Sequence, residues 1–317
     1  MSLIAGLMGL ATMTTFNVQA DSKPKFPALD AMPKSGPTIQ QVGIKPNYSN
    51  ISFSSESKTQ TLDVYLPKHS KNSSPVVIYA HPGGFRFGDK SMASAAIAKG
   101  FLDNGYALVT VNYRLSGEAR FPSAVQDFFA AIAYIKNNAT NFKIDPNNIY
   151  LFGESAGANI VSLAGTAYDN SEFRALIKND NLNLKPSGVI ALYPPVDFSK
   201  IDEMLISQGC DKKNANHNSA EGFESIYLGD ALTNIPQKVK QTNPITYVSN
   251  QSPPFFIQNG NKDCNVGNGQ SQLLVDELKK NGVYVEYSMI DGAGHGGSEF
   301  ETKDNISSML LFLKNNR

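Results

Sequence analysis

The sequence predicts an α/β domain with a mainly parallel central sheet, helices on both faces and a helical insert late in the chain. Three observations carry that expectation: short, near-continuous apolar runs of the kind found in strands covered on both sides, helical periodicity between successive runs, and one connection far longer than the others.

The chain opens on an apolar stretch from Leu3 to Met13 that is too short to span a bilayer, followed by the small-x-small pattern Val18-Gln19-Ala20. A signal peptide over residues 1–20, cleaved after Ala20, and a secreted or periplasmic protein are therefore expected. No Lys or Arg precedes the apolar stretch, and a cytoplasmic protein with an apolar N-terminus is the alternative. Residues 21–50 are rich in Pro and Lys without periodicity and read as an extended arm, leaving 51–317 as one domain.

Within that domain "TLDVYL" (61–66) alternates as a half-buried strand does, whereas "PVVIYA" (75–80) and "YALVTVNY" (106–113) are apolar throughout. Helical spacing follows over 91–105 and again over 122–139, where Pro122 suits a first turn. The alternation continues with strands at 148–153, 188–194, 254–260 and 283–290, and with helices near 157–167, 269–281 and 299–315. Residues 198–250 break the rhythm, mixing short apolar clusters with polar residues. An insert of this length usually carries function or covers a site.

Lys plus Arg and Asp plus Glu number 28 each, so net charge points to neither nucleic acid nor an acidic membrane surface. A small-molecule partner is expected, and no integral membrane span. The two cysteines, Cys210 and Cys264, make one disulfide the simplest reading of an exported chain. It would close a loop of about 55 residues, for which the chain-entropy model gives about 4 kcal/mol. Two unrelated buried thiols are the alternative.

Directly after the strand at 148–153 comes Gly153-Glu154-Ser155-Ala156-Gly157, a G-x-S-x-G pattern with a strand before it and a helix after it. Small residues two positions either side let strand and helix approach closely, which lifts the serine to the apex of a sharp turn at the carboxyl edge of the sheet. The amide of Ala156, at the helix N-terminus, is placed to meet a developing oxyanion. A tight turn with an incidental serine would use the same five residues, so the rest of a site must be found elsewhere.

A serine hydroxyl needs a base. The four histidines are His69, His81, His217 and His295. Where a serine sits at such a turn, the chain order is nucleophile, acid, histidine, which leaves two of them. His217 lies among polar residues of the insert, where a solvated side chain is expected. His295 lies in "DGAGHGG", a glycine-dense loop between the last strand and last helix, and is the candidate base. For the acid, Asp263 follows "PFFIQNG" at the carboxyl end of its strand, with Asp197 the runner-up one strand earlier. The loop "YAHPGGFRFGD" (79–89) offers the amides of Gly83 and Gly84, Pro82 having no N–H to give. His81 reads as structural, and Arg114 and Asp127 as a buried pair near the turn. No zinc spacing and no phosphate- or dinucleotide-binding glycine motif occurs, so a cofactor-free reaction is expected.

Together, "HPGGFRFGDK", "VNYRLSGEARFPSAVQDFFAAIAYIKNNA", "IDPNNIYLFGESAGAN", "NPITYVSNQSPPFFIQNGNKDCNV" and "GAGHGG" resemble the α/β-hydrolase superfamily of esterases and lipases from about Ser54 to the C-terminus. The similarity is closest to the bacterial carboxylesterase and feruloyl-esterase-like branch, akin to the hormone-sensitive-lipase group. It implies the α/β-hydrolase fold, Ser155 as nucleophile, Asp263 as acid, His295 as base, and an oxyanion hole of Gly83, Gly84 and Ala156. The expected activity is hydrolysis of short-chain or carbohydrate-linked esters. Three positions depart from the pattern: Pro82 for the first loop glycine, Asn259 where histidine is common, and Gly267 where proline often follows the valine. A serine peptidase or acyltransferase on the same fold, and a non-catalytic binding protein, are the rival readings.

Overall fold

The computed structural model describes residues 43–68, 73–179 and 181–317. The expected signal peptide, the arm as far as residue 42 and His69 lie outside the described residues. The strands are β1 (Tyr48–Ser52), β2 (Thr61–Tyr65), β3 (Ser74–Ala80), β4 (Ala107–Val111), β5 (Ile144–Glu154), β6 (Gly188–Leu192), β7 (Phe255–Gly260) and β8 (Val285–Ile290). The α-helices are α1 (Ala95–Asp103), α2 (Ser123–Asn137), α3 (Ala156–Thr166), α4 (Ile201–Ser207), α5 (Phe223–Leu228), α6 (Pro236–Gln241), α7 (Asn268–Lys280) and α8 (Lys303–Asn315).

The strands form one sheet in the order β1-β2-β4-β3-β5-β6-β7-β8. From β4 to β8 every pairing is parallel, and only β1–β2 and β2–β4 are antiparallel. Strand β3 shows how the apolar runs arise. Val76, Ile78 and Ala80 point into the layer that holds Phe128 of α2, Ile160 of α3 and Leu274 of α7, while Val77 and Tyr79 point into the layer that holds Phe101 of α1 and Phe312 of α8. A strand buried on both faces has no polar side to show, hence no alternation.

Two details differ from the sequence expectation. Tyr48 already belongs to β1, so the sheet begins inside the stretch read as an arm. The alternation in β2 does not mark a solvent face, since Asp63 is only 8% exposed. Its carboxylate accepts the Asn50 N–H at 2.7 Å and lies 3.2 Å from Lys90 Nζ, so the polar position is paired and not hydrated. The long connection between β6 and β7 contains α4, α5 and α6 with four single 3-10 turns. Cys210, just after α4, is bonded to Cys264 in the loop after β7.

The segment leaving β4 is anchored to α2 through a buried ion pair. Asp127 has no exposed surface and accepts from Arg114 Nη2 at 2.7 Å, Arg114 Nε at 2.9 Å, the Arg114 backbone N–H at 2.8 Å and Gln60 Nε2 at 2.6 Å. Replacing the carboxylate leaves a largely buried guanidinium without its counter-charge. Asp127→Ala should therefore cost about 3–5 kcal/mol in urea-induced unfolding, and a loss under about 1 kcal/mol would show that water or another group compensates.

Candidate active site

Ser155 sits between the end of β5 and the start of α3 with φ 51° and ψ −121°, backbone angles that a side-chain-bearing residue rarely adopts. Such a conformation costs about 1–3 kcal/mol and must be enforced by its surroundings. The Ser155 N–H donates to the Leu192 carbonyl at 2.9 Å, tying the turn to the end of β6. A Cβ at Gly153 would lie 2.3 Å from the Gly157 carbonyl oxygen, and one at Gly157 would lie 2.1 Å from the Ala80 carbonyl oxygen at the end of β3. The first glycine thus lets strand and helix close on each other, and the second lets the helix seat on the neighbouring strand.

Three side chains from separate loops meet here. Ser155 Oγ is 2.7 Å from His295 Nε2, and His295 Nδ1 is 2.8 Å from Asp263 Oδ2. An ionised carboxylate only accepts, so Nδ1 carries the hydrogen and Nε2 is left to accept from the serine hydroxyl. Asp263 is fully buried, and its Oδ1 accepts the N–H groups of Asn265 at 2.9 Å and Val266 at 3.0 Å. Burial alone would raise this carboxyl, but the His295 imidazole and the two amides outweigh it and hold it below the ordinary carboxylate range. His295 occupies the loop after β8, where Gly292, Gly296 and Gly297 all have positive φ.

The same site contains Gly83, Gly84 and Ala156, which line a cavity of about 930 Å³ together with Ser155 and His295. Gly83 and Gly84 have φ of 124° and 59°, and their loop is folded on itself by the Arg86 and Phe87 N–H groups donating to the Gly83 carbonyl. Apolar Phe87, Met92 and Phe223 and polar Asn214, Asn216 and Glu221 share the lining, and all of these but Phe87 and Met92 come from the insert.

The other candidates fall elsewhere. Asp197 caps the 3-10 turn at 198–200, accepting from the Ser199 N–H at 3.1 Å and the Ser199 hydroxyl at 2.5 Å. His81 is buried and stacked on Tyr113, and its Nδ1–H donates to the Pro82 carbonyl at 2.7 Å. Burial lowers its pKa to about 4, in keeping with a structural part. His217 corrects the expectation of a solvated side chain, because Nδ1 lies 2.6 Å from Glu224 Oε2 in a part-buried pair at the cavity wall. Asn259 and Gly267 have local reasons: the Asn259 Oδ1 accepts from the Ser271 hydroxyl of α7, and Gly267 caps α7 with φ 87°, which proline does not reach.

Two residues beside the site escape the sequence reading. Tyr193, after β6, has φ 43°, and its ring stands edge-on to the His295 ring with centroids 4.8 Å apart. Its hydroxyl donates to Glu154 Oε1 at 2.8 Å, while Tyr79 donates to Oε2 at 2.6 Å. Burial raises the Glu154 pKa against the opposing pull of the two hydroxyls. The only available signal was position: Glu154 is the variable residue of the serine motif, and Tyr193 ends a strand at the sheet edge. Among the described residues no group of three or more His, Cys, Asp or Glu is arranged to hold a metal ion, and no helix is long and apolar enough to cross a membrane.

The family model BD-FAE matches residues 62–278, more than half of the chain. The chain belongs to the BD-FAE family. Its fold is that of α/β-hydrolase esterases. A solved structure described as a truncated form of a carbohydrate esterase from gut microbiota superposes with a TM-score of 0.75 at 26% identity, covering 92% of this chain and 99% of that one. Esterase B from Lactobacillus rhamnosis superposes with a TM-score of 0.69 at 22% identity, over 85% of this chain and 84% of that one, and shows the shared fold. By sequence the chain is similar to esterase LipC of Mycobacterium tuberculosis, 25% identical over 240 residues, which are 75% of this chain and 57% of LipC. Against the mycobacterial relatives LipC and LipQ, then, it spans 57% and 50% of their lengths.

The His217–Glu224 pair predicts a pH signature for this BD-FAE member. Burial opposes charge on His217, but the bond to Glu224, the charges of Glu224 and Asp202, and the Asn265 carbonyl raise its pKa above 6.5. A raised pKa stabilises the fold fully below about pH 6.5 and loses that contribution as pH climbs through the elevated value. The melting-temperature gap between the wild type and His217→Gln should be widest near pH 6 and narrow toward pH 9. A gap independent of pH would mean that His217 is not charged in the fold.

Proposed function

We propose that this protein is a serine carboxylic-ester hydrolase. The observation that carries the reading is the hydrogen-bonded series Ser155–His295–Asp263, which ends in a cavity also lined by Gly83, Gly84 and Ala156. As Ser155 Oγ attacks the ester carbonyl carbon, His295 Nε2 takes its proton, and the Asp263 carboxylate stabilises the imidazolium that forms. The amides of Gly83, Gly84 and Ala156 meet the oxyanion. Collapse expels the alcohol, which receives the proton from His295 and leaves an acyl-serine. Water activated by the same imidazole then releases the acid and restores the serine.

The favoured substrates are short-chain or carbohydrate-linked esters. Support comes from the polar Asn214, Asn216 and Glu221 in the cavity lining, which suit a hydroxylated alcohol part, and from the similarity to the gut carbohydrate esterase. Export, expected from the N-terminal sequence, is supported by the Cys210–Cys264 disulfide, since such bonds persist in oxidising compartments.

Against p-nitrophenyl acetate and an acetylated or feruloylated sugar, Ser155→Ala should lose about 10⁶-fold in kcat and Asp263→Asn about 10⁴-fold. Equal turnover by wild type and Ser155→Ala would overturn the assignment. Faster turnover of aminoacyl anilides than of esters would make the protein a peptidase.

A further inference from the structure

The loop that carries Asp263 is held from two sides. Toward the site, the N–H groups of Asn265 and Val266 both point at Asp263 Oδ1. Away from it, two successive carbonyls of the same loop are taken by side chains of the insert. Gln208 Nε2 donates to the Asp263 carbonyl at 2.8 Å, and Asn214 Nδ2 donates to the Cys264 carbonyl at 2.8 Å. Gln208 closes the far end as well, its Oε1 accepting the Asn268 N–H at 3.0 Å, and the Cys210–Cys264 disulfide fastens the two segments covalently.

The peptide group makes this arrangement more than a set of tethers. In a planar trans peptide the C=O and N–H point in opposite directions, so fixing one fixes the other. The Cys264–Asn265 peptide has its carbonyl on Asn214 and its N–H on Asp263, so one of the two peptide groups that hold the carboxylate is set by an insert side chain on its opposite edge. Before these groups the Asp263 N–H donates to the Gly260 carbonyl at 3.3 Å, and after them the chain passes directly to Gly267 at φ 87°.

We propose that Asn214, with Gln208 and the disulfide behind it, is a positioning residue for Asp263: the insert aims the acid of the triad as well as walling the cavity. The proposal rests on the reading of Asp263 as the acid. A loose peptide group lets the carboxylate drift from His295, which lowers turnover and leaves ester binding largely as it was. Asn214 also faces the cavity, so the two effects must be separated by measurement.

The test is a double-mutant cycle on p-nitrophenyl acetate, with active sites counted by a fluorophosphonate label on Ser155. Asn214→Ala, and independently Gln208→Ala, should lower kcat per labelled site by about tenfold, the size expected for one lost hydrogen bond to a charge-bearing loop, with KM changed by less than about twofold. In an Asp263→Asn background, the same substitutions should change kcat by less than about twofold. An unchanged kcat per labelled site, with only the labelled fraction or melting temperature reduced, overturns the proposal by making the clamp a stability element. A full tenfold loss persisting in the Asp263→Asn background also overturns it, since the residues would then act elsewhere. If Asp263→Asn alone leaves kcat intact, the acid assignment falls and the clamp with it.

Discussion

The architecture depends on one strained turn. Ser155 is held at positive φ only because β5, α3 and the end of β3 meet without intervening side chains, and that meeting is what Gly153 and Gly157 allow. The turn aims the hydroxyl out of the sheet edge and places the first amides of α3 beside it. A larger residue at either glycine would push the helix off the sheet, and the loops bearing Asp263 and His295 would then converge on a serine that had moved.

Everything that converges there arrives from the carboxyl ends of parallel strands. The β3 end supplies Gly83 and Gly84, the β5 end Ser155, the β6 end Tyr193, the β7 end Asp263 and the β8 end His295. Parallel pairing is the reason these residues share one edge, because strands running the same way deliver their exits to the same side. Burying both faces of the sheet then supplies the rigidity. Each loop springs from a strand packed above and below, so a distance such as 2.7 Å between Ser155 and His295 is set by the core and not by the loops alone.

The insert has a different physical character. It is built of short helices and single turns, contributes few long apolar stretches, and gains its order from the disulfide, the His217–Glu224 pair and the side-chain bonds to the Asp263 loop. Such polar contacts are costly to leave half-made in a buried setting, which gives the segment one preferred seat over the cavity. It adds polar Asn214, Asn216 and Glu221 and apolar Phe223 to the cavity lining.

Much of this organisation could be read from the chain. The apolar runs, the serine motif, the glycine loop around His295 and the position of Asp263 after its strand are local features whose meaning follows from backbone sterics and periodicity. What stayed hidden depends on pairing across long separations. That Asp63 is buried follows from Lys90 and Asn50 meeting it, that His217 is paired follows from Glu224 facing it, and that Tyr193 braces His295 follows from two loops meeting over one edge. The sequence alone determined which residues can form a strained turn, a flexible histidine loop and a two-faced sheet, because those are properties of neighbours along the backbone. Only the tertiary structure decided how the insert grips the Asp263 loop, because planar peptide groups and side-chain donors find each other in space, and no spacing in the chain records the direction in which a carbonyl points.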